Sequence, residues 1–513
     1  MNKIRNTLLT AGGSAALFLT TALSADDVLR QNLGNGDLLM VTEADASLPG
    51  TLIQATPRMR SYHDGLMDAG FHFRTGTEII VPTHIRMQDL NASQIVGAHG
   101  EGTVVRYKGR WEGDGGNAFP HMVLTEGARF VFTEESQMDM VMAGSFFTRQ
   151  LWVWGDGTGI IELEEGFNAD QTVNEPVPDA MGTIRLGGAT LITHHTRNMP
   201  ANTRPDGRGG HYQNGHIVFE RVPGNRWIVD TSNQEYGAQL DFDTDAIVET
   251  RAALTHIGHR RIVLPVGPGG HFRSSGAFRT TSPDVTITKT GPAMLALEGE
   301  QSYHPGSRLV VEEGLLRMAT DPGLGRDPDA RGNAGVYLQM EVKNEAGAHF
   351  IGTLHRLQSF VASDQSGVWI DDGVVVSTRE GFTTGPEVPV SLSGVLEGAS
   401  TIEGRLHLSG TAVVENLISK GTVSVSYGPN APAAPSLHAT ESLRLEGDLT
   451  VRFWDRRGRV PEEVLLIRAP ESELANLSGA FSGTHTCSND RFTFDLEHEG
   501  GEVWMRNITA IQE

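Results

Sequence analysis

The chain has 513 residues, with 41 Lys and Arg against 63 Asp and Glu, a formal net charge of −22. So acidic a surface repels phosphate backbones and anionic headgroups, which argues against a nucleic-acid partner and leaves divalent cations and neutral glycans as easier company. One cysteine, Cys487, makes no internal disulfide, and 61 glycines with 7% aromatic residues and little helical periodicity point to β structure held by burial and hydrogen bonds.

Residues 1–25 read as a secretory signal. Lys3 and Arg5 precede a mostly apolar stretch from Leu8 to Leu23, closed by Ala22, Ser24 and Ala25. Its removal would leave the chain two charges more negative. The stretch is short and glycine-broken for a membrane span, no later apolar run reaches ~18 residues, and no cysteine sits at the cleavage point to carry a lipid. The expected destination is extracellular or the cell surface, in a Gram-negative-type bacterium, with no transmembrane segment in the mature chain. Residues 26–75 hold the most helix-like sequence and are read as an N-terminal cap with the first strands.

From residue 76 the signal is alternation. GTEIIVPTHIRM (76–87), TIRLGGATLIT (183–193), GRLHLSGTAVVE (404–415) and SLRLEGDLTVRFW (442–454) place apolar residues on one parity and polar residues on the other. In the last, Gly447 is a place for the strand to bend. WGDGTG (154–159) lacks the spacing of a phosphate loop and reads as an Asx/Gly turn between LWVW and IIELEE. Leu-x-Leu-x-Gly forms recur as LALEG, LHLSG and LRLEG. Loose repetition of strand plus glycine turn suits a β-solenoid, whose coils bury their inward residues on one another. Antiparallel sandwiches would also give many short strands, but hairpin dipeptides such as Asn214-Gly215 are few. The expected fold is all-β: a solenoid body over 76–425, further coils or a cap over 440–513, and protruding loops near 196–216 and 320–334.

The stretch ITKTGPAMLALEGEQSYHPGSRLVVEEGLLRM (287–318) resembles the autotransporter-associated β-strand repeat. Lys289, Gly291, Leu295, Leu297, Gly299, Tyr303, Gly306, Val310, Val311, Gly314 and Leu315 occupy matching places, while Pro292–Met294 replaces the usual second glycine. Weaker echoes lie at 391–415 and 442–453, and 463–483 is similar to the end of such passengers. The resemblance implies a single-stranded, right-handed parallel β-helix that is secreted or displayed, and it implies no catalytic residue. A translocator barrel is not evident after Cys487. Within the repeat, Leu295, Leu297 and one of Val310 and Val311 are expected inside, the glycines at turns, and the polar residues on the wet side.

Two functions follow. One is a structural or adhesive scaffold that presents loops to glycans or other extracellular partners. The alternative is a polysaccharide lyase or glycoside hydrolase using the 194–216 face. A lyase needs a base and a cation to stabilise the developing enolate, and Arg204, Arg208, His211, Tyr212 and His216 supply those types. His194, His195, Asp206, His211 and His216 are the candidate metal ligands, although adjacent histidines on a strand face opposite ways and the spacing fits no recognised ligand set. Anchoring of a polar loop is the plainer reading, for this cluster and for HIGHRR at 256–261. Asp241, Asp243 and Asp245 fall on one strand parity and read as an exposed acidic face; they fail the EF-hand pattern, leaving only a loose surface Ca²⁺ site. Cys487 is read as incidental or as a pairing thiol for a dimer.

Overall fold

A computed structural model describes residues 7–11, 14–18, 38–41, 52–55, 70–73, 75–81, 84–87, 95–113, 121–139, 150–164, 167, 183–194, 216–230, 234–236, 239–251, 271–324, 335–427, 435–453, 463–470, 485–487 and 492–510. Among these the chain is all-β, apart from one 3-10 turn at Pro322–Leu324. It divides into two compact units, Met1–Ala252 with Ser274–Arg279, and Ala253–Arg273 with Thr280–Glu513.

In the first unit the chain visits three strands in turn and repeats the circuit. Gly70–Phe73, Glu78–Val81 and His84–Met87 make one coil. Ile95–His99, Val104–Tyr107 and Arg110–Gly113 make the next. Every strand pairs in parallel with its counterpart one coil on: Phe71 with Val96, Ile79 with Val105, Ile85 with Trp111. Two of these ladders run on, one through Met122, Val153, Leu186, Phe219 and Phe242, the other through Phe130, Ile161, Leu191, Trp227 and Val248. All ten side chains are buried. Parallel register puts like positions on top of one another, so apolar parity becomes continuous apolar columns. The Phe219 and Phe242 rings stack at 4.5 Å and 3°.

Corners are tight. Between Thr183–Gly187 and Thr190–Thr193, Gly188 takes φ +75°, and a Cβ there would lie 2.6 Å from the Gly155 carbonyl oxygen of the preceding coil. Its N–H donates to Asn225 Oδ1 at 2.7 Å, a contact to the following coil.

Residues near the N-terminus also carry strands. Thr7–Ala11 and Ser14–Phe18 pair antiparallel within the stretch read as a signal. Leu38–Val41 and Leu52–Ala55, in the segment with helix-like sequence, pair in parallel with Gly70–Phe73 and His84–Met87.

The second unit repeats the plan. One inner column runs Leu295, Leu316, Ala348, Val368, Val390, Leu406, Val423 and Leu449. Another begins Ile287, Leu309, Met340, Phe360 and Phe382, with the last two rings stacked at 4.5 Å and 10°. The alternating stretch 442–454 is not one bent strand: Leu437–Leu445 and Leu449–Phe453 belong to different ladders, with Gly447 at the corner between them. Near the end the direction changes. Val464–Arg468 and Phe492–Glu499 both pair antiparallel with Glu502–Ala510, which stops the parallel stacking.

The repeat-like stretch 287–318 folds as expected in its apolar residues but not in its polar ones. Leu295, Leu297, Val310 and Val311 are all buried, both valines rather than one. Gly291, Gly306 and Gly314 have positive φ, as turn positions should. Yet Lys289, Gln301, Tyr303 and His304 are buried too, not on the wet side. Lys289 is wholly buried. Its ammonium donates to the carbonyls of Thr290, Gly291 and Glu313, one acceptor for each N–H. The Glu313 carboxylate accepts from the Gly291 N–H at 3.1 Å. Lys289 thus ties one corner to the same corner a coil later, where Gly314 leaves room: a Cβ there would sit 2.7 Å from Nζ. Burial pulls the Lys289 pKa down from 10.5 to about 7, against the opposing pull of Glu313.

Two outcomes are expected. Phe360→Ala, which empties a stacked column position, should cost about 3–5 kcal/mol in urea unfolding. A folded-state pKa depressed in this way makes stability rise as pH climbs from about 7 towards 10.5, because there the unfolded chain binds the proton and the folded chain does not. Lys289→Met should flatten that rise in urea midpoints measured across the window.

Candidate functional site

The wall of the first unit around His194 is where the sequence placed its strongest chemical cluster. His195, Arg204, Asp206, Arg208, His211 and Tyr212 lie outside the described residues, as do 256–261. His216 opens the strand His216–Phe219 and pairs in register with Thr183 and Gln239; its side chain is outside the described set. His194 is described. It follows the strand Thr190–Thr193, and its N–H donates to the Leu163 carbonyl of the previous coil.

The neighbours of His194 are residues the sequence did not single out. Nε2 donates to Glu162 Oε1 at 2.7 Å, and Nδ1 lies 3.7 Å from Asp230 Oδ2. Glu162 also pairs with Arg129. The four residues come from four successive coils, whose strands carry the register pairs Val131–Glu162, Glu162–Ile192 and Thr193–Val229. No sequence motif links them, because loops of unequal length separate the coils. Only the stacking register reveals the set.

The electrostatics are mutually reinforcing. Glu162 is 6% exposed, and burial alone would raise its carboxyl pKa. The hydrogen bond from His194 and the Arg129 charge overcome that and hold it below the usual carboxylate range. The Glu162 hydrogen bond raises His194, against partial burial and with help from the Asp230 charge. One imidazole nitrogen is therefore hydrogen-bonded to a carboxylate and the other faces a second one at 3.7 Å.

Several other acids of this wall are engaged in the same way. Asp241 accepts two bonds from Arg279, at 2.9 and 3.1 Å, and Asp243 pairs with Arg221 at 2.9 Å. The three aspartates also do not share a strand. Asp241 lies within Gln239–Phe242, while 243–245 form the corner before Ala246–Thr250. Arg185 pairs with Glu220, and its guanidinium lies 4.8 Å from the Trp152 ring centroid. The WGDGTG turn is an Asx turn. Asp156 Oδ1 accepts from the Thr158 N–H at 3.0 Å and its hydroxyl at 2.6 Å, and Oδ2 accepts from the Glu126 N–H at 2.8 Å.

Among the described residues no group of three or more His, Cys, Asp or Glu is placed to hold a metal ion. No helix among them is long and apolar enough to cross a membrane. Cys487 ends the strand His485–Cys487, which pairs with Leu449–Phe453. Among the described residues the arrangement joins coils through charge. No family model matches the chain, and neither the curated proteins nor the solved structures contain a match.

The cluster should leave a pH signature. His194, with its folded pKa raised above 6.5, adds stability that is complete below 6.5 and lost as pH rises through the folded value. Glu162, held below 4.5, adds stability that is present above 4.5 and lost as pH falls through its folded value. The pair is therefore strongest from 4.5 to 6.5. His194→Gln should remove the decline above that window, measured as urea midpoints against pH.

Proposed function

We propose that the protein is a secreted or surface-displayed, right-handed parallel β-helix with a structural or adhesive role, presenting its loops to glycans or other extracellular partners. One observation carries the reading: outward charges are matched from coil to coil, as in Arg129–Glu162–His194, Arg226–Glu249 and Arg308–Glu341. A wall whose carboxylates are occupied by cations of the next coil suits a rigid support. Glycoside hydrolysis needs two carboxyl groups free to act on a bond between them, whereas Glu162, Glu220, Asp241, Asp243 and Glu249 of the first unit's wall are each paired with a cation. The signal-like N-terminus and the repeat-like stretch 287–318 supply the extracellular setting.

The second reading is a polysaccharide lyase or glycoside hydrolase working at 194–216. The observation favouring it is the His194–Glu162 bond at the foot of that segment. The two readings separate in one assay. The protein is incubated with a panel of acidic and neutral polysaccharides, and both retention on the polymer and release of new chain ends are followed. A scaffold binds without shortening any polymer. Depolymerisation that disappears in Arg208→Ala and His211→Ala would replace the scaffold with the enzyme.

A further inference from the structure

The second unit has an outward face that breaks the rule of matched charge. Its strands Leu315–Met318, Gly347–Phe350 and Gly367–Ile370 stack in parallel, with Arg317, His349 and Trp369 as register partners. Onward the same outer column reads Ser391, His407 and Ser424. It contains no acid, in a chain of net charge −22.

Arg317 is the unusual member. It is half-buried, and its Nε is buried with no hydrogen-bond partner. Among the described residues no carboxylate pairs with it, whereas Arg106, Arg185, Arg279 and Arg356 each hold one. A guanidinium kept partly from water and left without an anion is an open position for a carboxylate, which its fork of N–H donors fits in two-point fashion. Two acids border this face and each has another partner: Glu298 lies 4.0 Å from Arg273, and Asp371 accepts from His349 Nε2 at 2.8 Å.

Trp369 supplies the second half of a site. A Cβ on Gly367 would fall 2.3 Å from the Trp369 ring, so the indole fills the space a side chain there would take. Trp369 is partly exposed. A flat indole takes the C–H-rich face of a pyranose, burying apolar area at little entropic cost. Neighbouring strands are about 4.8 Å apart, so Arg317 and Trp369, two strands distant, are about 10 Å apart at the backbone, roughly the span of two sugar units.

We infer that this outer face seats an acidic polysaccharide, with Arg317 taking the carboxylate of one sugar and Trp369 stacking on the ring of a neighbouring one. The hydroxyls of Ser391 and Ser424, with His407 between them, continue the track for further units. The overall negative charge makes the seat selective. Polymer is held where the local cation is unopposed and repelled elsewhere. The inference rests on the extracellular, glycan-presenting reading only for where such a polymer would be met.

The test uses the whole protein and two forms of one polymer, polygalacturonate and its fully methyl-esterified counterpart. The expected result is retention of polygalacturonate, weak retention of the ester, and loss of the difference as salt rises. Arg317→Ala should weaken polygalacturonate binding by about 10- to 100-fold, the range for losing a charge-assisted bond. Arg317→Lys should restore part of it, and Trp369→Ala should weaken both forms alike. Unfolding curves matching the parent establish that each variant is folded, and the salt and ester comparisons on the unmodified protein test the seat without any variant. Equal binding of the two forms, or polygalacturonate binding untouched by Arg317→Ala and Trp369→Ala, overturns the seat and leaves the scaffold reading in place. Cleavage of the polymer overturns the scaffold reading and leaves the seat to be judged by the variants.

Discussion

Everything in this chain depends on the parallel hydrogen-bond register between successive coils. A strand in a coil of this kind has no partner within its own turn. Its N–H and C=O groups are satisfied by the coil before and the coil after. Once that ladder is in place, each residue lies over its register partner, about 4.8 Å away. Inward positions must then be apolar in column after column, as Leu295, Leu316, Ala348 and Val368 are. Ring stacking in Phe219–Phe242 and Phe360–Phe382 comes from the same constraint.

Stacking is less forgiving to charge. Like charges one strand apart repel, so an outward column of charged residues must alternate in sign or be opened by a neutral residue. In the first unit neutral residues open the columns and opposite charges meet on the diagonal, as Arg129, Glu162, His194 and Asp230 do across four coils. A buried charge must find its partners along the axis, and Lys289 does so by donating to three corner carbonyls. Against that background a cation such as Arg317, unmatched among the described residues, is informative, because the fold supplies a ready way to match it.

Alternation, the glycine corners and the all-β class were legible in the sequence because they are local. Leu443, Leu445, Leu449 and Val451 are buried, as their parity required. The partner of any strand was not legible, since the coils differ in length: Phe360 meets Phe382, while Leu191 meets Trp227. For that reason His194 could be marked as suspicious while Glu162, Arg129 and Asp230 could not be attached to it. Asp241, Asp243 and Asp245 failed for a related reason, since a corner follows Phe242 and cancels the shared parity. Lys289 and Tyr303 look wet by residue type. Their burial goes with acceptors that satisfy their polar ends: for Lys289 the Glu313 carbonyl, which only the fold brings close, and for the Tyr303 hydroxyl the Oε1 of Gln301, two residues back.

Register is also the property most directly open to measurement. Thr383 and Thr401 are register partners on the outside of adjacent coils, and Phe382 pairs with Ser400 on the inside. On a Cys487→Ser background, Thr383→Cys with Thr401→Cys should oxidise to an intramolecular disulfide, since register partners lie within the Cα separation such a bond needs. Thr383→Cys with Ser400→Cys should not, because those side chains face opposite sides of the wall. Cross-linking of the second pair in place of the first would mean the coils stack in another register, and the columns, the charge matching and the seat at Arg317 would all fall with it.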